Sequence, residues 1–223
     1  MFSKSGTVTV PNVELLPEYS YNAEMSLRKS FNDSYISASG FYTYLKDAIV
    51  KRSFLLNGQD SLWYDDEYLP VVANTNAQKA HIYGFNAKMY VKIGPQWSTT
   101  HALNYTFGRE LDSGLFLDHI PPTYGKSEVV WKEKKHRGTL QLMYNGWKHA
   151  EEYSTSGSDN FEEATELGNP PWWILNIYYN ADLNDKLSAS VGVENTLDAH
   201  YKTYSSGISA PGRNFIISLN AKF

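Results

Sequence analysis

Cysteine is absent from the 223-residue sequence, which excludes disulfide frameworks, zinc–thiolate sites and cysteine nucleophiles. A run of about eighteen apolar residues is also absent, so no transmembrane helix is expected. The formal net charge of −4 provides no basic surface for nucleic acid, which is not an expected partner. The missing helix does not exclude a membrane, because a barrel strand needs only about ten residues with every second one apolar.

Aromatic residues are abundant and make up 15% of the chain, which favours strands and interfacial rings over helices. Apolar and polar residues alternate with period two through most of the sequence, the mark of strands with two different faces. No convincing amphipathic helix interrupts the pattern. The nine predicted strands lie at about 19–27, 36–44, 83–93, 103–107, 127–132, 140–144, 175–181, 187–193 and 215–223.

The connections between these strands alternate between short and long. The short ones lie at 32–33, 94–96, 134–137 and 184–186, and the long ones at about 53–76, 112–124, 155–170 and 205–212. This alternation is typical of transmembrane barrels, with short periplasmic turns and long outer loops. Since lipid cannot hydrogen-bond the backbone, a spanning sheet must close on itself. The sequence therefore predicts an all-β fold, a transmembrane antiparallel β-barrel with apolar residues facing lipid and polar residues facing the lumen.

The strand count and the N-terminus predict that barrel strands precede residue 18. If the short turns are periplasmic, the first and the last of nine strands run in the same direction and cannot close an antiparallel barrel, whereas bacterial single-chain barrels have even strand numbers. Residues 1–6 also lack the apolar region of an export signal.

Four segments carry a resemblance to a known family. V-E-N-T-L-D-A-H-Y at 193–201 and P-G-R-N-F at 211–215 resemble the end of TonB-dependent receptors, in which the second segment opens the last strand. N-V-E-L-L-P-E at 12–18 and I-P-P at 120–122 are similar to earlier segments of the same family. Each match is weak alone, but the four occur in the family's order and span nearly the whole chain.

The resemblance implies that residues 1–223 are the C-terminal part of a barrel of about 22 strands, with the plug domain and the N-terminal strands absent. It places the protein in the bacterial outer membrane, in contact with lipid and with the barrel assembly machinery. It implies import of a scarce small-molecule or metal-chelate ligand such as a ferric siderophore, haem or cobalamin. The TonB complex would act through the missing N-terminal region, and neither enzymatic activity nor a resident cofactor is implied.

Candidate ligand-binding residues lie in the long loops. Trp63, Tyr64 and Tyr68 stand beside three acidic residues in the longest loop, where aromatic tips suit ligand capture. They equally suit packing over the barrel mouth. His119 is a further candidate, and His149 a fainter one, although most histidines in such loops have no ligand. The acidic run Asp159, Glu162, Glu163 and Glu166 offers carboxylates for Ca²⁺ without regular spacing, which favours a solvated loop.

The last strand is a candidate signal for the barrel assembly machinery. Its alternate apolar residues can be recognised by strand addition at an unpaired edge, or can simply face lipid. The residues are Phe215, Ile217, Leu219, Ala221 and the terminal Phe223.

Two other classes of protein remain open at this point. One is an outer-membrane barrel of another kind, a porin or an enzyme, although no nucleophile elbow, P-loop or H-E-x-x-H motif supports catalysis. The other is a soluble all-β binding module, which explains the alternation of residues but not the alternation of loop lengths.

Overall fold

The computed structural model describes residues 2–4, 6–77 and 79–222, with the backbone alone for 2–4. Two single-turn 3-10 helices, Ala150–Glu152 and Phe161–Glu163, lie in the loops. The strands are β1 Phe2–Lys4, β2 Thr7–Val10, β3 Tyr19–Phe31, β4 Ser34–Lys46, β5 Ile49–Ser53, β6 Ser61–Tyr64, β7 Glu67–Asn76, β8 Lys79–Ile93, β9 Trp97–Glu110, β10 Tyr124–Glu133, β11 His136–Asn145, β12 Lys148–His149, β13 Gly168–Asn169, β14 Trp172–Asp182, β15 Leu187–Glu194 and β16 Asn214–Ala221.

Nine of these strands form one antiparallel sheet in the order β3-β4-β8-β9-β10-β11-β14-β15-β16. They correspond one to one to the nine segments predicted from the alternation, so the predicted all-β fold is confirmed. Each strand pairs with its neighbour along the chain except where a long loop with strands of its own intervenes. β8 and β9 are 15 and 14 residues long, more than a barrel strand needs to cross the hydrocarbon, so they extend beyond it.

The short turns follow from backbone conformation. Asn32, Gly94 and Lys134 have φ of 50°, 68° and 48°, the left-handed region that reverses a strand tightly. The predicted turn at 134–137 is too long, because His136 already pairs with Glu133 in the β10–β11 ladder. The basic residues at 134–137 indicated a solvent-exposed segment, and the whole segment was therefore predicted as a turn. The turn itself consists of only two residues.

The two faces of the large sheet differ in chemistry and in curvature. The apolar face is turned outward, and Tyr21, Met25, Ile177 and Val191 on it are 63%, 66%, 47% and 48% exposed. The polar face is concave and has two hollows of about 450 and 270 Å³. Polar residues that line the hollows include Asn86, Lys88, Asn104, Gln141, Asn176 and Glu194. The alternation therefore separates an outward apolar face from a lumenal polar one, as predicted.

Aromatic rings cover glycines on the sheet. A Cβ atom on Gly84 would lie 2.1 Å from the Tyr105 carbonyl oxygen and 2.8 Å from the Phe41 ring, which occupies that space. Tyr178 covers Gly192 in the same way. Phe41 breaks the polar alternation of β4 for this reason, since its ring shields a stretch of backbone that has no side chain of its own.

Outward-facing aromatics form bands at both ends of the strands. Tyr83 and Phe107 lie at the end near the long loops, with ring centroids 5.0 Å apart. Trp97 and Trp131 are paired in register near the short turns. Trp172 faces the lumen and packs on Tyr201 with 4.4 Å between centroids. Its neighbour Trp173 faces outward, opposite Tyr144, because neighbouring residues of a strand point to opposite faces.

A second sheet lies at the long-loop end of the barrel strands. Its order is β1-β2-β7-β5, with β6 pairing with β7, and the β2–β7 pair is parallel. This outer sheet buries a small core of its own, formed by Val8, Val10, Leu69, Val71 and Ala73. The sequence predicted a long connection at about 53–76, and the structure shows that this connection contains strands β6 and β7, which the sequence did not predict. The parallel pairing joins residues about sixty positions apart, and local alternation carries no signal for it.

The outer sheet is attached to the end of the barrel strands. Arg52 of β5 forms an ion pair with the buried carboxylate of Glu110 at the end of β9. Nearby, a second small core joins the two parts; it comprises Ala48, Ala77, Ala80, Leu117 and Ile120. The segment before β3 is fixed as well, since the Asn76 side chain hydrogen-bonds both the amide and the carbonyl of Leu16.

Candidate ligand site in the outer loops

Trp63 and Tyr68 form an exposed aromatic pair on the β6–β7 hairpin. They are cross-strand partners with ring centroids 5.0 Å apart and an edge-to-face orientation. Their exposed fractions are 61% and 74%, which is high for large rings held in a sheet. The turn residues Asp65 and Asp66 have φ of 56° and 64°, as a two-residue hairpin loop requires. The hairpin therefore presents two aromatic rings to solvent in a fixed geometry.

Tyr64 points to the other face of the same hairpin. It packs against the core of the outer sheet together with Leu62 and Phe54. The alternation of β6 explains the difference, since Leu62 and Tyr64 share one face and Trp63 lies on the other. The structure thus divides the three predicted aromatics into one residue that packs inward and two that face solvent.

The tip of the hairpin is acidic. Asp65 and Asp66 form the turn and Glu67 begins β7, and none of the three forms an ion pair with a described residue. Unpaired carboxylates around two aromatic rings make this tip complementary to a ligand surface that is both apolar and positively charged.

His119 is held by a buried carboxylate from another loop. Its Nδ1 lies 2.9 Å from Oδ1 of Asp159, and its backbone amide donates to both Asp159 oxygens at 3.2 and 3.1 Å. The side chain of Asp159 is 2% exposed, whereas that of His119 is 70% exposed. The Nε2 atom has no hydrogen-bond partner among the described residues. A carboxylate on Nδ1 fixes the ring and leaves Nε2 free of hydrogen bonds to the described residues.

Asp159 belongs to a buried polar cluster that joins three outer loops. Lys148 is 3% exposed, and its Nζ donates to the Ile120 carbonyl at 2.8 Å and lies 5.3 Å from the Tyr204 ring. Burial lowers the pKa of Lys148, although the carboxylates of Glu152 and Asp159 act in the opposite direction. The cluster links the loops that follow β9, β11 and β15.

Two tyrosines in this cluster are also strongly perturbed. Burial raises the pKa of Tyr153 to about 12, and the carboxylate of Asp159 adds to the effect. Burial raises the pKa of Tyr204 as well, and the carboxylate of Asp159 adds to the effect. The sequence did not predict a role for Tyr153 or Tyr204, because neither belongs to a motif. They come together only when the three loops fold.

A small cavity of about 220 Å³ lies beside this cluster, at the lumenal side of the outer mouth. Its walls include the tilted rings of Trp172 and Tyr201, and the Trp172 Nε1 atom is buried without a hydrogen-bond partner in the described part of the chain. The sequence did not predict this cavity, because its walls come from separate loops that meet only in the fold.

The acidic run does not come together as a cation site. Asp159 is buried against His119, and Glu163 pairs with Lys202 at 3.3 Å. Among the residues that the structure describes, no three His, Asp or Glu side chains lie close enough to hold a metal ion. His149 stacks on Trp147 with ring centroids 5.4 Å apart and caps a 3-10 turn.

β16 is an edge strand with an apolar outward face. Phe215, Ile217 and Leu219 are all largely exposed, and Ile217 pairs directly with Val191 of β15. Ala221 ends the strand opposite Leu187. Phe223 lies outside the described residues.

The outward apolar face, the concave polar face and the short turns opposite long folded loops define a part of a membrane-spanning β-barrel. Within the described ranges, no helix is long and apolar enough to cross a membrane. Residues 1–195 match the family model described as "TonB dependent receptor-like, beta-barrel", and the chain belongs to this family. Proteins of the family are outer-membrane barrels of Gram-negative bacteria.

Relatives and solved structures agree with this assignment. Transferrin-binding protein A of Neisseria meningitidis serogroup B is 25% identical over 260 residues, which cover 95% of this chain and 27% of that protein. The copper transporter OprC has a TM-score of 0.77 at 16% identity, over 94% of this chain and 32% of that one. The siderophore receptor PirA from Pseudomonas aeruginosa has a TM-score of 0.70 at 17% identity, over 97% and 32%. The chain thus spans about a quarter of the curated relative.

Proposed function

We propose that this chain is part of a receptor in the bacterial outer membrane that imports a scarce ligand with energy supplied through TonB. The observation that supports this most is the combination of a lipid-compatible outward face with outer loops that are folded into fixed structures. A passive porin needs no such loop structure. On this proposal the chain forms the C-terminal strands of a closed barrel of about 22 strands, and the plug and the TonB contact belong to the rest of the protein.

Within this function, we assign first contact with the ligand to Trp63, Tyr68 and His119. The two rings offer apolar surface at the outermost sheet, and His119 offers one oriented nitrogen. No described cluster of His, Asp or Glu side chains can hold a metal ion by itself, so these residues suit a cargo that is already chelated. A ferric siderophore, haem or cobalamin meets this condition.

Uptake measurements on the complete receptor in a TonB-competent strain test the assignment. We expect Trp63→Ala with Tyr68→Ala to lower ligand uptake at limiting concentration by about tenfold, because exposed aromatic anchors contribute most to such contacts. The matched control is Leu55→Ala, a similarly exposed apolar residue of the loop between β5 and β6. If the control and the double variant behave alike, the hairpin has no part in ligand contact. If ligand uptake by the cells is unchanged both by deletion of TonB and by every loop variant, the receptor does not carry out this uptake. The proposed function is then wrong.

A second candidate is a receptor that takes its metal from a carrier protein. The relatives named transferrin-binding protein A favour it, and so does the acidic aromatic hairpin, whose size suits a protein surface better than a small ligand. Binding of iron-loaded transferrin to whole cells that express the complete receptor is the test. Specific binding that weakens as salt is raised is expected, whereas undiminished uptake of a siderophore without any transferrin binding would rule this candidate out.

A further inference from the structure

One small region of the outward face of the sheet is polar. His101 on β9 faces outward between Met89 of β8 and Ser127 of β10. Thr99 lies two residues along the same strand and therefore on the same face. Apart from polar residues near the strand ends, such as Lys29, His81 and Arg109, the other described outward positions of the nine strands are apolar or glycine. These three residues, Thr99, His101 and Ser127, are called the polar patch below.

The polar patch lies between the two aromatic bands. His101 is four residues from Trp97 of the band near the short turns and six residues from Phe107 of the band near the long loops. At about 3.3 Å per residue and a tilt of about 40°, the two bands are about 10 and about 15 Å away along the membrane normal, so the patch lies at the depth of the hydrocarbon. Ionisable residues at this depth are rare on surfaces that meet only hydrocarbon, and they usually have a partner.

The internal hydrogen bond of the patch leaves two groups unused. Nδ1 of His101 lies 2.9 Å from Oγ of Ser127. If the hydroxyl donates to Nδ1, then Nε2–H remains a free donor and Oγ a free acceptor. If Nδ1–H donates instead, Nε2 remains the acceptor and the hydroxyl the donor. In both tautomers the patch offers one donor and one acceptor side by side.

A surface with one donor and one acceptor is complementary to itself across a two-fold axis. An axis along the membrane normal keeps both copies in the same orientation and lets His101 of each meet Ser127 of the other. We propose that the polar patch is the centre of a contact between two copies of the receptor within the membrane. The contact satisfies both polar groups, which lipid cannot do.

Disulfide cross-linking of the complete receptor in outer-membrane fragments tests the proposal. This chain has no cysteine, and any cysteine elsewhere is replaced by serine. Val129→Cys puts a thiol on the outward face beside the patch, in register with Thr99. The control, Val191→Cys, is outward-facing on β15, away from the patch. On oxidation with copper phenanthroline, we expect a dimer band for Val129→Cys and none for the control.

Replacement of His101 distinguishes cross-linking that depends on the proposed hydrogen bonds from cross-linking by random collision. We expect His101→Leu in the Val129→Cys background to lower cross-linking about tenfold, which corresponds to two hydrogen bonds of modest strength in a membrane. A heat-modifiability gel shows that this variant is folded. Equal cross-linking with and without His101, or equal cross-linking at both cysteines, overturns the proposal. A cross-linked band with the mass of another protein also overturns it. Ligand uptake is measured in parallel. Uptake that persists when the dimer does not form shows that this proposal fails while the proposed import function stands.

Discussion

At the scale of single residues, Asp159 is the residue on which the outer loops depend most. It accepts three contacts from His119 and is one of the carboxylates near the buried Lys148. We expect Asp159→Asn to cost about 2 kcal/mol of loop stability, because it removes a charge-assisted partner from buried donors. If the loops open and close faster than they are cleaved, the rate of proteolysis is proportional to the fraction of molecules with open loops. Proteolysis of the loops in the folded receptor would then become about thirtyfold faster. Glu162→Gln, in an exposed part of the same loop, is the control and changes little.

The pH dependence of the same loops follows from Tyr153. Its pKa is raised to about 12 in the folded state by burial and by Asp159, whereas an exposed tyrosine ionises near pH 10. Between these values the folded loops retain a proton that the open loops lose. The contribution of Tyr153 to loop stability is therefore fully present below pH 10 and is lost as the pH rises toward 12. Hydrogen exchange at pH 9 and pH 11 measures this fall, and Tyr153→Phe should reduce it. A pH response that is unchanged in Tyr153→Phe would assign the effect to another group.

At the scale of elements, the sequence predicted what can be read from neighbouring residues. It did not predict the pairing of segments that are far apart in the chain. All nine barrel strands were predictable, because in each of them the contrast between lipid and lumen repeats every two residues. The outer sheet was not, since β2 contributes only four residues and pairs in parallel with Val71 and its neighbours across a long stretch of chain. The loop cluster around Lys148 was hidden for the same reason. Trp63 and Tyr68 were identified by residue type, and their alternation with Tyr64 was readable only once β6 was known.

The outer sheet provides a prediction at this scale. Val71 is 1% exposed in its core, so Val71→Ala leaves a cavity and should cost about 2 kcal/mol. Because the barrel strands have hydrogen bonds and packing of their own, we expect faster amide exchange in β2, β6 and β7 and unchanged exchange in β9 and β10. Val13→Ala, at a position that is almost fully exposed, is the control. Loss of protection across both sheets at once would show that they unfold as a single unit.

At the scale of the whole molecule, the nine-stranded sheet has two edge strands, β3 and β16. Its edges leave unpaired backbone groups, which hydrocarbon cannot satisfy. The edges therefore need partners, and on the proposed function these are strands from the rest of the receptor. We further propose that β16 is available to the assembly machinery before the barrel closes, because its free edge and its alternate apolar residues are accessible together.

Assembly in cells tests whether β16 carries more than lipid contact. Ile217 of β16 and Val191 of β15 are direct neighbours on the outward face. Asparagine at either position removes an apolar side chain from lipid, so a loss at Ile217 well beyond what its larger side chain accounts for reports recognition of β16. We expect Ile217→Asn to lower the folded, heat-modifiable receptor in the outer membrane severalfold more than Val191→Asn does. Similar losses would show that Phe215, Ile217 and Leu219 act only as lipid-facing residues.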